Sequence, residues 1–149
     1  MDKAKAEEQV IIFLLKGEKF GLNIKNLISI SEPGELKEER GEGVYRGRLS
    51  VRSKEAPVVN LNMLLQLGEG NFSDNVKILV LGNPNKMIGL IVDAVLEVIS
   101  FSPKAIRPLP KMIMDSSITY FTGVGRVNGE AVLFLNESEI ISASYAGKA

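Results

Sequence analysis

The stretch Phe20-Gly21-Leu22-Asn23-Ile24 recurs as Ile88-Gly89-Leu90-Ile91-Val92 in the second half of the chain, and this internal repeat decides the fold. The match extends to the apolar positions that follow, where Leu27, Ile28 and Ile30 fall on Val95, Leu96 and Val98. It resumes later, where Val58-Val59-Asn60 falls on Phe134-Leu135-Asn136. Two similar halves predict two similar small barrels packed together. The glycine shared by both strands indicates a bend or bulge, which a small barrel needs in order to close.

Short apolar runs joined by turn residues predict a mainly all-β protein. Three pairs of runs read as hairpins: residues 10–15 with 20–24, 76–81 with 87–92, and 118–127 with 130–135. The last pair is joined by Asn128-Gly129, the dipeptide that most strongly indicates a two-residue hairpin turn. Many short strands of this kind are typical of small barrels or sandwiches.

Two short helices are predicted by asparagines that follow apolar runs. Asn60 and Asn136 are N-cap candidates, because an asparagine oxygen accepts a hydrogen bond from the first helical turn. The helices are expected over residues 61–66 and 137–145. A further turn is expected at Ser102-Pro103, since proline suits the first position of a helix.

The composition excludes several classes of chemistry. The 149 residues include 18 Lys+Arg and 18 Asp+Glu, but no His and no Cys. The chain therefore has no His base or His metal ligand, and no thiol nucleophile or thiolate zinc site. No paired carboxylates or glycine-rich phosphate loop stand out, so we expect no catalytic residues, no metal and no cofactor. The balanced charge argues against nucleic acid, and no apolar run is long enough to enter a membrane.

A charged segment precedes a basic strand in the first half. Residues 32–43 read as a solvated loop, and Tyr45, Leu49 and Val51 alternate with basic positions after it. The basic side chains are predicted to share the opposite face as a cationic stripe: Arg46, Arg48, Arg52 and Lys54. Two interpretations remain open, a surface for an acidic partner or a solvated face that pairs with the acidic loop.

Five fragments, in order along the chain, carry a resemblance to a known family. They are residues 10–15 with 20–24, Val51-Arg52 with 57–61, 89–93 with Val95 and Val98, 106–110, and 120–124. Together they resemble the chemotaxis coupling proteins, the CheW family, over residues 9–141. The resemblance implies two five-stranded barrels around a shared apolar seam. It implies one domain over residues 9–145, made of two intertwined barrels, with flexible ends at 1–8 and 146–149.

The resemblance also implies a function. Members of the family are adaptors without catalytic activity that bridge the cytoplasmic tip of a chemoreceptor and the regulatory domain of the histidine kinase CheA. The chain is therefore expected in the cytoplasm, recruited to the inner membrane face through receptors. The partner-binding residues expected on this basis are Arg52, Leu27, Ile28, Gly47, Leu96 and Ile99. For each apolar residue among them, a place in a barrel core is the competing interpretation.

The chain departs from the family pattern around the central motif. The glycine after the motif arginine is Ser53, an apolar position is Arg48, and the motif aspartate is Asn60. A charged run over residues 38–43 replaces the usual proline-containing approach. These departures leave a second hypothesis open, a CheW-like scaffold for a different two-component or motility pathway. A small barrel ligand-binding protein or hydrolase is the remote alternative.

Overall fold

The structure, a computed structural model, describes residues 7–39, 43–68, 74–83, 85–109 and 119–148. For residues 145–148 it describes the backbone only. Strands dominate it, as the alternating apolar runs predict. The strands are β1 (Glu8–Leu15), β2 (Glu18–Asn23), β3 (Leu27–Ser31), β4 (Lys37–Glu38), β5 (Tyr45–Val51), β6 (Lys54–Asn60), β7 (Lys77–Asn83), β8 (Lys86–Val92), β9 (Ala94–Phe101), β10 (Phe121–Val127) and β11 (Glu130–Leu135). The helices are α1 (Leu61–Leu64) and α2 (Glu137–Lys148).

The two halves of the repeat exchange their first hairpins. One sheet has the order β10-β11-β2-β1-β9, and the other has the order β3-β7-β8-β6-β5-β4. The β1–β2 hairpin of the first half thus joins the later strands of the second half, and β7–β8 joins those of the first. Strands β3 and β9 carry the chain from one sheet to the other.

Three apolar clusters form the core: one lies between the two sheets, and one lies on the other face of each sheet. Alternate residues of β1 belong to two of these clusters, because successive side chains of a strand point to opposite faces. Ile11, Phe13 and Leu15 lie in a large cluster shared with Val59 and Leu79 of the other sheet. The remaining clusters each belong to one sheet, around Phe134 in the first and around Val58 in the second. The shared cluster is the predicted apolar seam.

The register of the sheets matches the sequence repeat. A parallel pair joins the two halves in each sheet, with Phe134 opposite Gly21 and Val58 opposite Gly89. The repeat aligns these same positions with one another. At Gly89 a Cβ atom would lie 2.9 Å from Ile78 Cγ2 and 3.0 Å from Val58 Cγ2. Side chains of the neighbouring strands β7 and β6 therefore fill the space that a larger residue would need.

The shared glycine therefore serves close packing, and its prediction as a bulge is wrong. Bulges occur instead at four other places, again in equivalent pairs. Ile28 of β3 and Leu96 of β9 are the extra residues in two of them. Arg46 of β5 and Thr122 of β10 are the extra residues in the others.

The prediction of two similar all-β units is confirmed, but the sheets are open and not closed barrels. In each sheet the chain leaves one edge strand through a 3-10 turn, at Pro33–Glu35 or Pro103–Ala105, and then meets the opposite edge. The contact is the two-residue strand β4 on β5 in one sheet, and a single bridge between Arg107 and Val124 in the other. The two units thus pack as a small sandwich whose sheets curl toward closure.

Several local predictions need correction. The charged segment 32–43 contains a 3-10 turn and β4, so its described part is more ordered than a solvated loop; residues 40–42 lie outside the described range. Helix α1 ends at Leu64 and α2 extends to Lys148. Strand β10 begins at Phe121, and residues 110–118, which include the predicted strand start at 118 and the end of one family fragment, lie outside the described range. So do the predicted flexible residues 1–6 and 149, whereas Glu8 already belongs to β1.

Candidate functional site

The motif arginine lies at the tip of the β5–β6 hairpin. Val51 pairs with Lys54, so Arg52 and Ser53 form a two-residue turn between them. Both turn residues have positive φ, 50° for Arg52 and 68° for Ser53. Positive φ angles at both central residues are characteristic of a type I′ turn, whose twist matches that of the two flanking strands. The turn raises the Arg52 side chain out of the sheet, where it is exposed.

Arg52 borders a surface cleft of about 220 Å³ that is built from both halves of the repeat. Strand β3 supplies Ile28, the extra residue of its bulge, and the β7–β8 hairpin supplies Met87. Val51 completes the apolar wall, and Lys54 lies at the rim beside Arg52. We call this the Arg52 cleft; its described lining residues are Ile28, Val51, Arg52, Lys54, Gly82, Asn83 and Met87.

The Arg52 cleft combines apolar walls with a cationic rim. Val51 and Met87 are buried and Ile28 is half-buried, whereas Arg52 and Lys54 are exposed. No carboxylate is among the described residues that line it. Arg52 makes no hydrogen bond or ion pair with any described residue. Such a site can receive an apolar side chain while Arg52 binds a neighbouring carboxylate, since guanidinium groups form paired hydrogen bonds with carboxylates.

The structure separates the other predicted partner-binding residues. Leu27 is half-buried against the shared cluster, and Ile99 is half-buried against the cluster of the first sheet. Leu96 is 43% exposed on β9, in the other sheet from Arg52. Gly47 is buried, and a Cβ atom there would lie 2.3 Å from the Lys37 carbonyl oxygen. Gly47 thus allows β4 to approach β5 and presents no side chain to a partner.

Sequence reasoning missed three apolar residues. Met87 was overlooked because its hairpin was assigned to the second half, whereas the exchange of hairpins brings it to Arg52. Ile30 and Val98 are 45% and 49% exposed on the two edge strands β3 and β9. Their equivalence in the repeat is the signal that could have identified them as a pair.

The predicted cationic stripe is divided by local contacts. Arg48 forms ion pairs with Glu39 at 2.7 Å and with Glu55 at 2.8 Å. The Tyr45 hydroxyl donates to the other Glu39 oxygen at 2.6 Å. We call these four residues the ionic clasp; Glu39 belongs to the acidic segment, as the second interpretation of the stripe supposed.

The remaining stripe residues have other surroundings. The Arg46 guanidinium donates to the carbonyl oxygens of Gly43 and Tyr45, both at 2.9 Å. Lys54 lies at the rim of the Arg52 cleft, on a different strand. For Arg48 the contacts favour the second interpretation, a solvated face that pairs with the acidic segment, and a surface for an acidic partner stays a prediction.

The ionic clasp changes the ionisation of its members. Burial, and then the hydrogen bond to the Glu39 carboxylate, raise the pKa of Tyr45 from 10.0 to about 12. The same carboxylate raises the pKa of Arg48. The phenol therefore stays neutral, and continues to donate to Glu39, well above its usual range.

The two predicted helix caps lie away from this site. The Asn60 side-chain oxygen accepts from the Met63 amide at 3.2 Å, and that of Asn136 accepts from the Glu139 amide at 3.3 Å. Each cap starts a helix directly after the last strand of its half. Their role in the structure is to end β6 and β11 at equivalent places.

Among the described residues, no group of three acidic side chains is placed to hold a metal ion. None of the helices in that part of the chain is long and apolar enough to span a membrane.

A family model described as a CheW-like domain matches residues 9–144. Curated relatives agree with it. The chemotaxis protein CheW of Klebsiella aerogenes is 25% identical over 138 residues, which cover 92% of this chain and 82% of that protein. CheW of Bacillus subtilis is 25% identical over 114 residues, covering 76% and 73% of the two chains.

A solved structure has the same fold. It is the crystal structure of the scaffolding protein TtCheW from Thermoanaerobacter tengcongensis, with a TM-score of 0.75 and 24% identity. The match covers 87% of this chain and 84% of that one.

Proposed function

The chain belongs to the CheW-like domain family, and we propose that it is an adaptor that couples the cytoplasmic tip of a transmembrane chemoreceptor to the histidine kinase CheA. The observation that carries this proposal is the family match over residues 9–144, nearly the whole chain. Three curated relatives with 23–25% identity are chemotaxis proteins named CheW.

The Arg52 cleft is the place where we propose that the receptor docks. A chemoreceptor tip is a helical hairpin, and helices are recognised through apolar side chains that enter a groove. Half-buried Ile28 offers apolar contact area beside the buried Met87 in the wall of the cleft, and Arg52 is available to bind an acidic residue of the receptor. Ile30 on the exposed edge strand β3 extends the apolar surface of the same sheet.

The kinase partner is proposed to be the regulatory domain of CheA. The exposed apolar residues Leu96 and Val98 belong to β9, in the other sheet from the Arg52 cleft. Two partners could then be held at once, one by each unit, which is what a coupling protein requires. The recruitment of the chain to the inner membrane face would follow from receptor binding alone.

We propose that the chain acts without catalysis. It has no His and no Cys, and the Arg52 cleft contains no carboxylate among its described lining residues. General acid–base or nucleophilic chemistry would need such groups to converge. The functional surfaces are accordingly contact surfaces, and their chemistry is apolar burial with charge pairing.

A different signalling or motility pathway is the second candidate. The observation in its favour is the ionic clasp, in which two departures from the family pattern, Arg48 and the charged run with Glu39, are joined directly. A charged surface there would suit a partner that differs from the usual one.

Binding to purified partners tests the proposal. We expect the wild-type chain to bind both a receptor signalling-tip fragment and the CheA regulatory domain in biolayer interferometry. Arg52→Ala is expected to weaken receptor binding about tenfold or more, since a charged hydrogen bond contributes about 1.5–3 kcal/mol. Its Tm should stay nearly unchanged, because Arg52 is exposed and makes no contact with a described polar group.

Arg126→Ala is the matched control, since Arg126 is an exposed arginine beside another hairpin turn. It should leave receptor binding intact. Failure of the wild-type chain to bind either partner would contradict the proposal. A large loss of stability in Arg52→Ala would show instead that Arg52 is structural.

A further inference from the structure

The Arg52 cleft has an equivalent surface in the first sheet, which the internal repeat defines. The parallel ladders place two glycines, Gly21 and Gly89, at the same point of the two exchanged hairpins. Two residues before each glycine, Lys19 is therefore the equivalent of Met87. Strand pairing and bulges extend the equivalence to five other lining residues of the cleft, Ile28, Gly82, Val51, Arg52 and Lys54, which correspond in that order to Leu96, Leu14, Val127, Asn128 and Glu130. We call Lys19 and the last five residues the Leu96 surface.

The Leu96 surface offers apolar contact area much as the Arg52 cleft does. Leu96 is 43% exposed, and it is the extra residue of the β9 bulge as Ile28 is of the β3 bulge. The hairpin turns beside them are also alike, with φ of 50° at Arg52 and 52° at Asn128. A helix that fits one surface by its apolar side chains therefore meets similar backbone and apolar features at the other.

Charge distinguishes the two surfaces. The rim of the cleft has two cations, Arg52 and Lys54, and no carboxylate is among the described residues that line it. The Leu96 surface has the neutral Asn128 and the acidic Glu130 at the equivalent places. Glu130 forms an ion pair with Lys19 at 2.5 Å, which joins β11 to β2. Their side chains are 62% and 31% exposed, so the pair faces solvent and contributes little to stability.

We propose that Glu130 is a specificity-determining residue that, paired with Lys19, excludes the receptor tip from the Leu96 surface and so limits docking to the Arg52 cleft. An acidic receptor residue gains charged hydrogen bonds at Arg52, whereas at the Leu96 surface it meets no arginine and lies beside a carboxylate. Specificity is a difference between two affinities, and a like charge at the wrong site lowers the affinity there. The inference rests on the proposed function, and it adds the reason why one chain receives one receptor tip and leaves its other sheet to another partner.

Transfer of the cleft's charges to the Leu96 surface tests the inference. The variant Lys19→Met/Asn128→Arg/Glu130→Lys copies the residues of the cleft onto their equivalents. Isothermal titration calorimetry with a receptor signalling-tip fragment should give one bound fragment per wild-type chain and two per variant chain. Addition of Arg52→Ala to this triple variant should weaken one of the two sites and leave the other unchanged.

Two controls separate this effect from net charge and from a new arginine alone. The triple variant gains two positive charges, since one is lost at Lys19, one is added at Asn128, and the charge at Glu130 is reversed. Glu35→Lys makes the same net change at an exposed residue that lines neither surface, and it should still bind one fragment. Asn128→Arg alone should also bind one fragment, because the carboxylate of Glu130 stays beside the new guanidinium.

A single substitution in the cleft is the converse test. Lys54→Glu puts a carboxylate at the place equivalent to Glu130 while Arg52 is kept. It should weaken binding of the fragment about tenfold or more, since it sets a like charge beside the acidic receptor residue. Lys54 is exposed, so Tm should stay nearly unchanged. Unchanged affinity in this variant would overturn the inference even if the triple variant did not fold.

The outcomes distinguish this inference from the proposed function. If the wild type binds no receptor fragment, the proposed function fails and the inference fails with it. If the wild type binds one fragment and the folded triple variant also binds one, the inference alone is overturned. Two fragments on the wild type, or on Asn128→Arg alone, would overturn it too, because Glu130 would then exclude nothing.

Discussion

Replacing Gly89 with alanine perturbs the parallel strand pair that joins the two halves of the second sheet. A Cβ atom at this position would lie 2.9 Å from Ile78 Cγ2 and 3.0 Å from Val58 Cγ2, closer than carbon atoms normally approach. Both neighbours are fully buried. Insertion of one methyl group into a packed core costs about 1–3 kcal/mol. We therefore expect Tm to fall by roughly 3–10 °C in a chain of this length.

A double-mutant cycle shows whether Val58 is the residue that opposes the new methyl group. Val58→Ala alone should destabilise the protein by about 2 kcal/mol, through lost burial and a small cavity. In the double variant the alanine at 89 fills part of the space left by Val58. We expect the double variant to be more stable than the sum of the single effects by about 0.5–2 kcal/mol, measured by urea unfolding.

Gly34→Ala is the matched control, because no atom lies within 4 Å of the added Cβ there. Its free energy of unfolding should change by no more than about 0.5 kcal/mol. Additive effects of Gly89→Ala and Val58→Ala, within about 0.5 kcal/mol, would refute the reasoning. The parallel register of β6 and β8, and with it the exchange of hairpins between the halves, would then be in question.

Three further outcomes follow from the ionic clasp and the edge strands. The pKa of Tyr45 is raised from 10.0 to about 12, so its contribution to stability is complete below pH 10 and is lost as the pH rises from 10 to 12. Tyr45→Phe should remove this pH dependence of the free energy of unfolding, measured in urea. The same pH dependence in both proteins would contradict the prediction. Arg48→Met should lower the urea midpoint at low salt, with a difference from wild type that shrinks at ~1 M NaCl; a salt-independent difference would argue against charge pairing. Ile30→Ser and Val98→Ser, at positions 45% and 49% exposed, should leave Tm nearly unchanged and weaken binding to one proposed partner each, and unchanged binding to both would exclude these residues from the interfaces.

The repeat made most of the fold predictable. Apolar alternation located the hairpins, and the match between residues 20–24 and 88–92 gave two similar units. It could not reveal that the units exchange hairpins, because a sequence repeat does not state which copy a strand pairs with. The packing role of Gly21 and Gly89 was not predictable for a related reason, since some of the side chains that fill their space come from the other half: Phe134 at Gly21, and Val58 beside Ile78 at Gly89.

The site was predictable in part. The family resemblance predicts both Arg52 and Ile28 as partner-binding residues, and the structure brings both to one cleft. The resemblance predicts Gly47, Leu27 and Ile99 with them, but Gly47 is buried, and Leu27 and Ile99 are half-buried against core clusters. Charge pattern alone could not separate Arg48 from the other basic residues, because its carboxylate partner Glu39 is brought to it by the pairing of β4 with β5.

The measurement that tests the coupling role most directly is the recruitment of CheA to receptor-bearing membranes. Vesicles that carry a chemoreceptor are sedimented with the kinase, with and without this chain. Coupling predicts that the kinase appears in the pellet only when the chain is present, and that Arg52→Ala abolishes most of this recruitment. Kinase that sediments equally without the chain, or that stays in the supernatant with it, would contradict the account.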